Sequence, residues 1–291
     1  YHTEGFCFNV LTGGYFSRKT NGVYSNGSCC GNDTASERSM VRKYIVDSVK
    51  YWADEYHIDG FRFDLVGLVD TQTINEIVSA VHAKHPYVMF YGEGWAAGGT
   101  AVEYGYTLAT KDQAWQTPGF GYFNDDYRNG IAGDNGNSWG FATGSWDYEN
   151  SLANWFKASN SFSSTPTQTI NYVSCHDNYC LTDKLLISKN GTGWEDITKM
   201  NRLSNAIVMM SEGVPFLYSG DEMLRERKDY SGNRLENAHM GGDYSNTINW
   251  ADLVYKQYAD TTSDYYKGLI EFRKNHAALR ISDSSAQNYV T

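Results

Sequence analysis

The chain has 291 residues, 41% of them hydrophobic, 20% charged, and a formal net charge of −10. This apolar content argues against disorder, and the absence of an apolar run of about 18 residues argues against a membrane span. The negative charge argues against a nucleic-acid partner, because such proteins usually carry a basic patch. The 23 Tyr, 8 Trp, 13 Phe and 28 Gly are typical of sugar-handling proteins, but composition alone leaves this a hint.

Five cysteines are an odd number and contain no C-x-x-C pair, so we expect no zinc site. Cys175 lies in an apolar strand-like run and is expected to be a buried free thiol. The first residues have no basic start and no apolar core, so no signal peptide is visible. The odd count favours a cytoplasmic over a secreted protein, although the vicinal pair Cys29–Cys30 complicates this interpretation.

Hydrophobic periodicity predicts alternating helices and strands after a loop over 1–33. Thr34 and Glu37 match a capping box at the start of a helix that extends to Tyr56. Further helices are predicted around 74–81, 126–131, 149–157, 197–210 and 265–279, and strands at 58–64, 87–93, 120–124, 169–175 and 214–219.

This alternation predicts an α/β fold with a parallel sheet. Polar residues follow the predicted strands, at the carboxyl edge of the sheet. This edge carries the active site in a (β/α)8 TIM-barrel, and it also binds ligands in an open doubly wound sheet. No G-x-G-x-x-G or G-x-x-x-x-G-K motif follows a strand, which weakens nucleotide-binding versions of the open sheet. We therefore expect a fold of the (β/α)8 barrel type.

Asp64 ends an apolar strand two residues after Arg62, in G-F-R-F-D-L. Residues i and i+2 of a strand share a face, so the guanidinium should lie beside the carboxylate and favour its ionised form. An ionised carboxylate suits a nucleophile. A structural ion pair at a strand end explains the same pattern.

Glu93 lies between two glycines in Y-G-E-G-W, followed by Trp95. An indole wall can raise the pKa of a carboxyl group, as a general acid requires. The alternative is a glutamate that only caps a turn.

His176 and Asp177, in V-S-C-H-D-N, follow another predicted strand. Such a pair can bind a metal, act as a base dyad, hydrogen-bond a polar ligand or be structural. Because no second histidine lies at ligand spacing, metal binding is the weakest of these interpretations.

Two carboxylates that face one cleft are the requirement for glycoside hydrolysis. Asp64 and Glu93 are 93 − 64 = 29 residues apart, which matches one β-α-β step and predicts neighbouring strands. Adjacent strands lie about 4.8 Å apart, so the separation of about 5 Å that a retaining enzyme needs is within reach.

In their order and spacing, these motifs resemble the conserved regions of the α-amylase superfamily, glycoside hydrolase family 13, and in particular type I pullulanases. The resemblance extends over nearly the whole chain. The segments that carry it are Y-S-N-G-S-x-x-G-N-D-T-A-S-E-R-S-M-V-R-K-Y-I-V-D-S-V-K-Y-W (24–52), H-I-D-G-F-R-F-D-L (57–65), Y-G-E-G-W (91–95), F-N-D-D-Y-R-N-G-I-x-G (123–133), V-S-C-H-D-N (173–178) and S-G-D-E-M-L-R (219–225).

The resemblance implies a role for each of the residues discussed above. Asp64 matches the nucleophile, Glu93 the general acid/base, and Asp177 the third acid, which binds sugar hydroxyls in the transition state. Arg62 resembles the arginine that orients the nucleophile, and His176 the histidine that contacts the sugar in subsite −1.

Three further residues are implied to bind substrate. Trp95 resembles the tryptophan beside the acid that supports the branch-point sugar. Asp243 and Asn246 resemble a short D-x-x-N motif that lines subsite −1. The family needs no cofactor; a structural calcium is compatible with it, but no ligand can be assigned. The implied partner is an α-glucan.

The sequence starts after the position of the family's third barrel strand, and His2 does not match the histidine of that strand. We therefore expect only barrel strands 4 to 8 and their helices. The expected domains are a loop over 1–33, the C-terminal part of a catalytic barrel over 34–281, and the start of a linker over 282–291.

The resulting hypothesis is a retaining hydrolase of α-1,6-glucosidic branch linkages. The alternatives are an isoamylase or α-amylase of the same superfamily, and a non-catalytic glucan-binding protein, which usually lacks one of the three acids. No motif supports a nucleotide- or metal-dependent enzyme. Because five strands leave two open edges, we expect this segment alone neither to fold cooperatively nor to hydrolyse pullulan.

Overall fold

The computed structural model of the protein describes residues 7–158, 162–163 and 165–288, which divide into two units. The N-terminal unit comprises 7–123 with 162–163, and the C-terminal unit comprises 124–158 with 165–288. Strands and helices alternate in both, so the predicted α/β class with parallel pairing is confirmed. No helix within the described ranges is both long and apolar enough to cross a membrane.

Three parallel strands form the sheet of the N-terminal unit: Gly60–Phe63, Met89–Gly92 and Gly121–Phe123. The helix Ser39–Tyr56 precedes the first strand, and the helix Thr71–His82 lies between the first and second strands in the chain. The two helices pack against each other. Their apolar faces bury a continuous core with the strands. This packing holds the carboxyl ends of the strands in register.

The two helices of this unit begin differently. Asp70 caps Thr71–His82, because its carboxylate accepts a 2.9 Å hydrogen bond from the Thr73 amide. The predicted capping box of Thr34 and Glu37 is wrong: the helix begins at Ser39 without a side-chain cap. Glu37 instead pairs with Arg18 at 2.7 Å, with both side chains buried. An unpaired charge is costly at the buried position of the Arg18 guanidinium, whereas the helix end at Ser39 is exposed.

The predicted loop over 1–33 contains short elements within its described part. These are the helix Cys7–Leu11 and the antiparallel strands Lys19–Thr20 and Val23–Tyr24. Such short pairings have no sequence periodicity that could predict them.

The C-terminal unit has two short parallel strands, Thr169–Asn171 and Val214–Pro215. Buried apolar side chains of the helices fill the core beside the strands. The α-helices of this unit are Asp125–Ala132, Glu149–Phe156, Leu181–Ser188, Trp194–Met210, Gly242–Asn246, Asp252–Tyr255 and Ala259–Asn275.

Both strands of this unit are shorter than predicted, because the apolar runs continue into loops. The first strand ends at Asn171, so Cys175 lies in the following loop and is partly exposed. The expectation that Cys175 is buried is therefore wrong, although it forms no disulfide with the described cysteines, as expected; Cys180, in contrast, is buried. The helix Leu181–Ser188 follows directly and was not predicted.

Candidate active site

Asp64 and Glu93 follow neighbouring strands of the N-terminal unit. The parallel register pairs Phe63 with Gly92, so the next residue of each strand lies at the same edge. The Glu93 amide donates a 3.1 Å hydrogen bond to the Phe63 carbonyl, which continues the ladder by one step. The predicted placement of the two acids on adjacent strands is thereby confirmed.

The Arg62 guanidinium connects the two acids. Its Nη1 donates a 2.7 Å hydrogen bond to Asp64 Oδ1, and its Nη2 donates a 2.6 Å hydrogen bond to Glu93 Oε1. The separation of the two carboxylates is therefore limited to the width of one guanidinium and two hydrogen bonds. The Arg62–Asp64 contact was expected from strand alternation, whereas the contact with Glu93 depends on the register and was not predicted.

The two carboxylates differ in their surroundings. The Asp64 side chain is 55% exposed, whereas that of Glu93 is only 8% exposed. The second oxygen of Glu93 accepts a 2.9 Å hydrogen bond from the Leu65 amide. An exposed carboxylate can reach a substrate atom, and a buried one is held in a fixed direction by its donors.

Glycines let the chain pass closely around Glu93. A Cβ at Gly67 would lie 2.5 Å from the Trp95 carbonyl oxygen, and one at Gly92 would overlap the Phe63 carbonyl oxygen. The Gly67 amide donates a 3.1 Å hydrogen bond to the Glu93 carbonyl. The backbone on both sides of the acid is thus fixed by contacts that only glycine permits.

Phe123 is a neighbour of this site that sequence reasoning missed. The Arg62 guanidinium lies 5.9 Å from its ring centroid, within cation–π range. The ring of Trp95, which is partly buried, lies 6.4 Å from that of Phe123. Trp95 therefore lies close to Phe123, whose ring contacts the Arg62 guanidinium.

His176 and Asp177 lie in the C-terminal unit, in the loop after Thr169–Asn171. His176 Nε2 is 3.5 Å from Asp177 Oδ2, and both side chains are exposed. Behind this loop, the fully buried Arg227 donates a 2.6 Å hydrogen bond to the His176 carbonyl and another to the Asn178 carbonyl. Arg227 therefore holds the backbone on both sides of Asp177, a role that no local pattern predicted.

Asp177 also lines a small cavity of about 20 Å³ that reaches Lys184. Burial lowers the pKa of Lys184 to about 8. The ammonium group donates to the carbonyls of Gly136 and Ser138 at 2.7 and 2.8 Å. Lys184 thus anchors the adjoining loop through hydrogen bonds to the backbone carbonyls of that loop.

Asp243 and Asn246 lie on the short helix Gly242–Asn246 of the same unit. The side-chain Nδ2 of Asn246 donates hydrogen bonds to the carbonyls of Ala238 and Gly242 at 2.7 and 2.9 Å, so it stabilises the local turn. Asp243 is exposed and lines a cleft of about 740 Å³. Among the described residues, that cleft shares no lining residue with the small cavity at Asp177.

Asp221 is a buried acid of the C-terminal unit that accepts a hydrogen bond from the Ser174 hydroxyl, three residues before Asp177. Burial raises the pKa of Asp221 to about 7. Its backbone carbonyl accepts a 3.2 Å hydrogen bond from Asn201. The sequence shows a polar residue after the last predicted strand, but it does not show that this residue is buried.

The eight candidate residues thus divide between the two units. In the described parts of the chain, no three His, Cys, Asp or Glu side chains cluster as a metal site would require. No ligand set for a structural calcium follows from these residues. Arg62, Asp64, Glu93 and Trp95 belong to the N-terminal unit, and His176, Asp177, Asp243 and Asn246 to the C-terminal unit.

Comparison with known proteins gives one consistent family. The family model for the alpha amylase catalytic domain matches residues 28–247. The pullulanase of Bacillus subtilis (strain 168) is 32% identical over 98% of this chain and 40% of its own length. The chain therefore spans less than half of this relative.

Solved structures agree with this similarity. Pullulanase from Paenibacillus barengoltzii, in complex with maltohexaose and alpha-cyclodextrin, superposes with a TM-score of 0.92 at 34% identity, over 99% of this chain and 45% of that one. Pullulanase from an Anoxybacillus species, complexed with maltotetraose, has a TM-score of 0.90 at 37% identity, over 99% of this chain and 41% of that one.

Proposed function

The chain belongs to the α-amylase catalytic-domain family, and from this premise we propose that it supplies the catalytic carboxylates of a pullulanase-type glycoside hydrolase. The reaction is the hydrolysis of α-1,6-glucosidic branch linkages in pullulan, starch or glycogen. The observation that supports it best is the shared guanidinium of Arg62, which holds Asp64 and Glu93 side by side.

The proposed mechanism is a double displacement that retains the anomeric configuration. The Asp64 carboxylate attacks the anomeric carbon while Glu93 gives a proton to the departing glycosidic oxygen, which leaves a glycosyl ester on Asp64. Glu93 then takes a proton from water, the water oxygen attacks the same carbon, and the ester bond breaks. The exposure of Asp64 and the burial of Glu93 support this division of roles.

Arg62 orients the Asp64 carboxylate for its attack on the anomeric carbon. In the proposal, Asp177 and His176 bind hydroxyl groups of the sugar in subsite −1, Asp243 and Asn246 line the same subsite, and Trp95 supports the branch-point sugar. The substrate class is an α-glucan, as in the relatives whose complexes contain maltooligosaccharides. No cofactor takes part in these steps.

We also propose that the parallel strands are strands 4 to 8 of a (β/α)8 barrel. In this arrangement 1–33 is the segment after strand 3, 34–281 the C-terminal part of the catalytic barrel, and 282–291 the start of a linker; residues 1–6 and 289–291 lie outside the described part of the chain. The similarity over 99% of this chain but under half of the solved pullulanases supports this assignment. For the location, the odd cysteine count slightly favours the cytoplasm over secretion.

The test is pullulan hydrolysis by the longest natural polypeptide that contains this sequence. We expect Asp64→Asn and Glu93→Gln each to lower kcat/KM by at least about 1,000-fold, since each removes a group that reacts with the substrate. Asp47→Asn is the matched control, because Asp47 is similarly exposed in the same unit but pairs with Lys43 on a helix surface. Full activity of Asp64→Asn would contradict the assigned nucleophile.

Product analysis separates the proposal from its alternatives. Hydrolysis of the α-1,6 linkages of pullulan supports the pullulanase type, whereas products from amylose but not from pullulan support one of the alternatives. Proton NMR of the first product reports the anomeric configuration. An inverted product would exclude the double displacement, and binding without hydrolysis would indicate a glucan-binding protein.

A further inference from the structure

Two exposed tyrosines of the C-terminal unit stack on each other. The rings of Tyr230 and Tyr244 lie 4.3 Å apart at an interplanar angle of 21°. Stacking covers one face of each ring, yet Tyr230 is 85% and Tyr244 57% exposed. The outer face of the pair is therefore open to a third flat or weakly polar group.

The turn that presents Tyr230 is held by its neighbour Asp229. Asp229 Oδ1 accepts hydrogen bonds of 2.8 Å from the amides of Ser231 and Asn233, and Oδ2 accepts one of 3.0 Å from the Asn233 side chain. Such Asx contacts fix a tight turn. The backbone at the tip residue Tyr230 is thus held in one conformation.

The second ring is tied to the same turn. The Ser245 hydroxyl, next to Tyr244, donates a 2.8 Å hydrogen bond to the Lys228 carbonyl. This bond joins the short helix Gly242–Asn246 to the chain that enters the turn. The tyrosine pair is therefore preorganised, which lowers the entropic cost of binding a ligand.

The pair borders the cleft of about 740 Å³ that Asp243 also lines. Both cations of the cleft are engaged: Lys228 pairs with Glu226 at 2.7 Å, and Arg225 donates to carbonyl groups, including that of Ser219 at 3.2 Å. Among the described residues, none donates a hydrogen bond to the Asp243 carboxylate. The cleft therefore offers aromatic faces and hydrogen-bond acceptors, and it is poorly suited to an anion.

We propose that Tyr230 and Tyr244 form a stacking platform that binds a glucose unit of an α-glucan chain passing through this cleft. The proposal rests on the proposed function and extends it, because a chain held at Asp243 continues onto the tyrosine pair. The C–H groups on one face of a pyranose ring carry a small positive charge and match the negative face of an aromatic ring. Its hydroxyl groups donate to acceptors such as Asp243.

Affinity electrophoresis in gels that contain pullulan tests this platform. The protein is the longest natural polypeptide that contains this sequence, carrying Asp64→Asn so that the gel is not degraded. We expect Tyr230→Ala and Tyr244→Ala each to weaken binding by about 3- to 10-fold, the loss of one aromatic contact. Tyr230→Phe keeps the ring and should bind within about 2-fold of the parent.

Tyr87→Ala is the matched control, because Tyr87 is 96% exposed in the N-terminal unit and belongs to no ring pair among the described residues. Equal affinity of Tyr230→Ala and Tyr87→Ala, or no retardation of the parent by pullulan, would overturn the platform. Unchanged melting temperatures ensure that a weaker affinity is not caused by unfolding.

Parallel hydrolysis assays with Asp64 restored separate this inference from the proposed function. Hydrolysis of pullulan together with tyrosine-independent binding overturns the platform alone. Tyrosine-dependent binding without hydrolysis supports the platform and contradicts the hydrolase.

Discussion

Arg62 lies on the strand Gly60–Phe63 and Glu93 directly follows the neighbouring strand, and the guanidinium of Arg62 donates a 2.6 Å hydrogen bond to the Glu93 carboxylate. The same guanidinium holds Asp64 at 2.7 Å. One side chain thus sets the spacing of the two proposed catalytic acids, and in glycoside hydrolases this spacing distinguishes retaining from inverting enzymes. Its planar fork is suited to this task, because two parallel N–H groups can serve two different carboxylates.

We therefore expect Arg62→Lys to lower kcat/KM on pullulan by about 100-fold or more, because an ammonium group cannot hold both acids in this geometry. The melting temperature should change little, since Arg62 is partly exposed. Arg38→Lys is a suitable control: Arg38 pairs with Glu103 at 2.8 Å in the same unit but contacts neither acid. Wild-type activity of Arg62→Lys would show that the bridge does not position the acids.

Gly92 provides a second test of the same geometry. A Cβ at this position would overlap the Phe63 carbonyl oxygen, so Gly92→Ala should push the two strands apart just before Glu93. We expect a loss of about 1–3 kcal/mol in the free energy of unfolding and a lower kcat. Thermal unfolding and pullulan kinetics measure the two effects.

Gly99→Ala is the control for Gly92→Ala, because a Cβ at Gly99 would have no atom within 4 Å. It should melt within about 1 °C of the wild type, as surface changes usually do. If Gly92→Ala behaved the same way, the close approach of the strands would not constrain Glu93.

Asp221 makes stability depend on pH. Its pKa is about 7 when folded, against an ordinary value of 3.8 that it regains when unfolded. Between these values the folded protein keeps a proton that the unfolded chain has released, so the free energy of unfolding falls as the pH rises from about 4 to 7. The full effect on Asp221 is at most about 4 kcal/mol.

Asp221→Asn removes this ionisation while keeping an oxygen that can accept from Ser174. We expect the melting temperature of the variant relative to wild type to be higher at pH 8 than at pH 5. Asp264→Asn, which changes an exposed carboxylate paired with Lys267, should follow the wild-type pH dependence. A constant difference between Asp221→Asn and wild type across this range would exclude ionisation of Asp221 as the cause.

Arg227 supports the loop of the third proposed acid. Arg227→Met would leave the carbonyl groups of His176 and Asn178 without this buried donor. We expect the free energy of unfolding to fall by about 2–4 kcal/mol, measured by chemical denaturation. Arg280→Met is the comparison, because Arg280 also donates to carbonyl groups but is more exposed, and it should cost less than about 1 kcal/mol. Equal losses would contradict the clamp.

Local patterns in the sequence predicted the elements that bury a regular apolar face. The helices Ser39–Tyr56 and Trp194–Met210 are both present close to their predicted positions, because their apolar spacing is long and regular. The helix Leu181–Ser188 was missed, since it follows a strand loop directly and has no side-chain cap. The predicted strand 169–175 was too long, because apolar composition does not indicate where pairing stops.

The sequence by itself determined the alternation of strands and helices, the position of Asp64 and Glu93 at strand ends, and the contact of Arg62 with Asp64, which follows from strand alternation alone. Only the tertiary structure decided that Arg62 also holds Glu93, that Glu37 pairs with Arg18 instead of capping a helix, and that Arg227 clamps the loop of Asp177. Each of these contacts joins residues distant in the chain. Strand register and burial, which no local pattern encodes, bring them together.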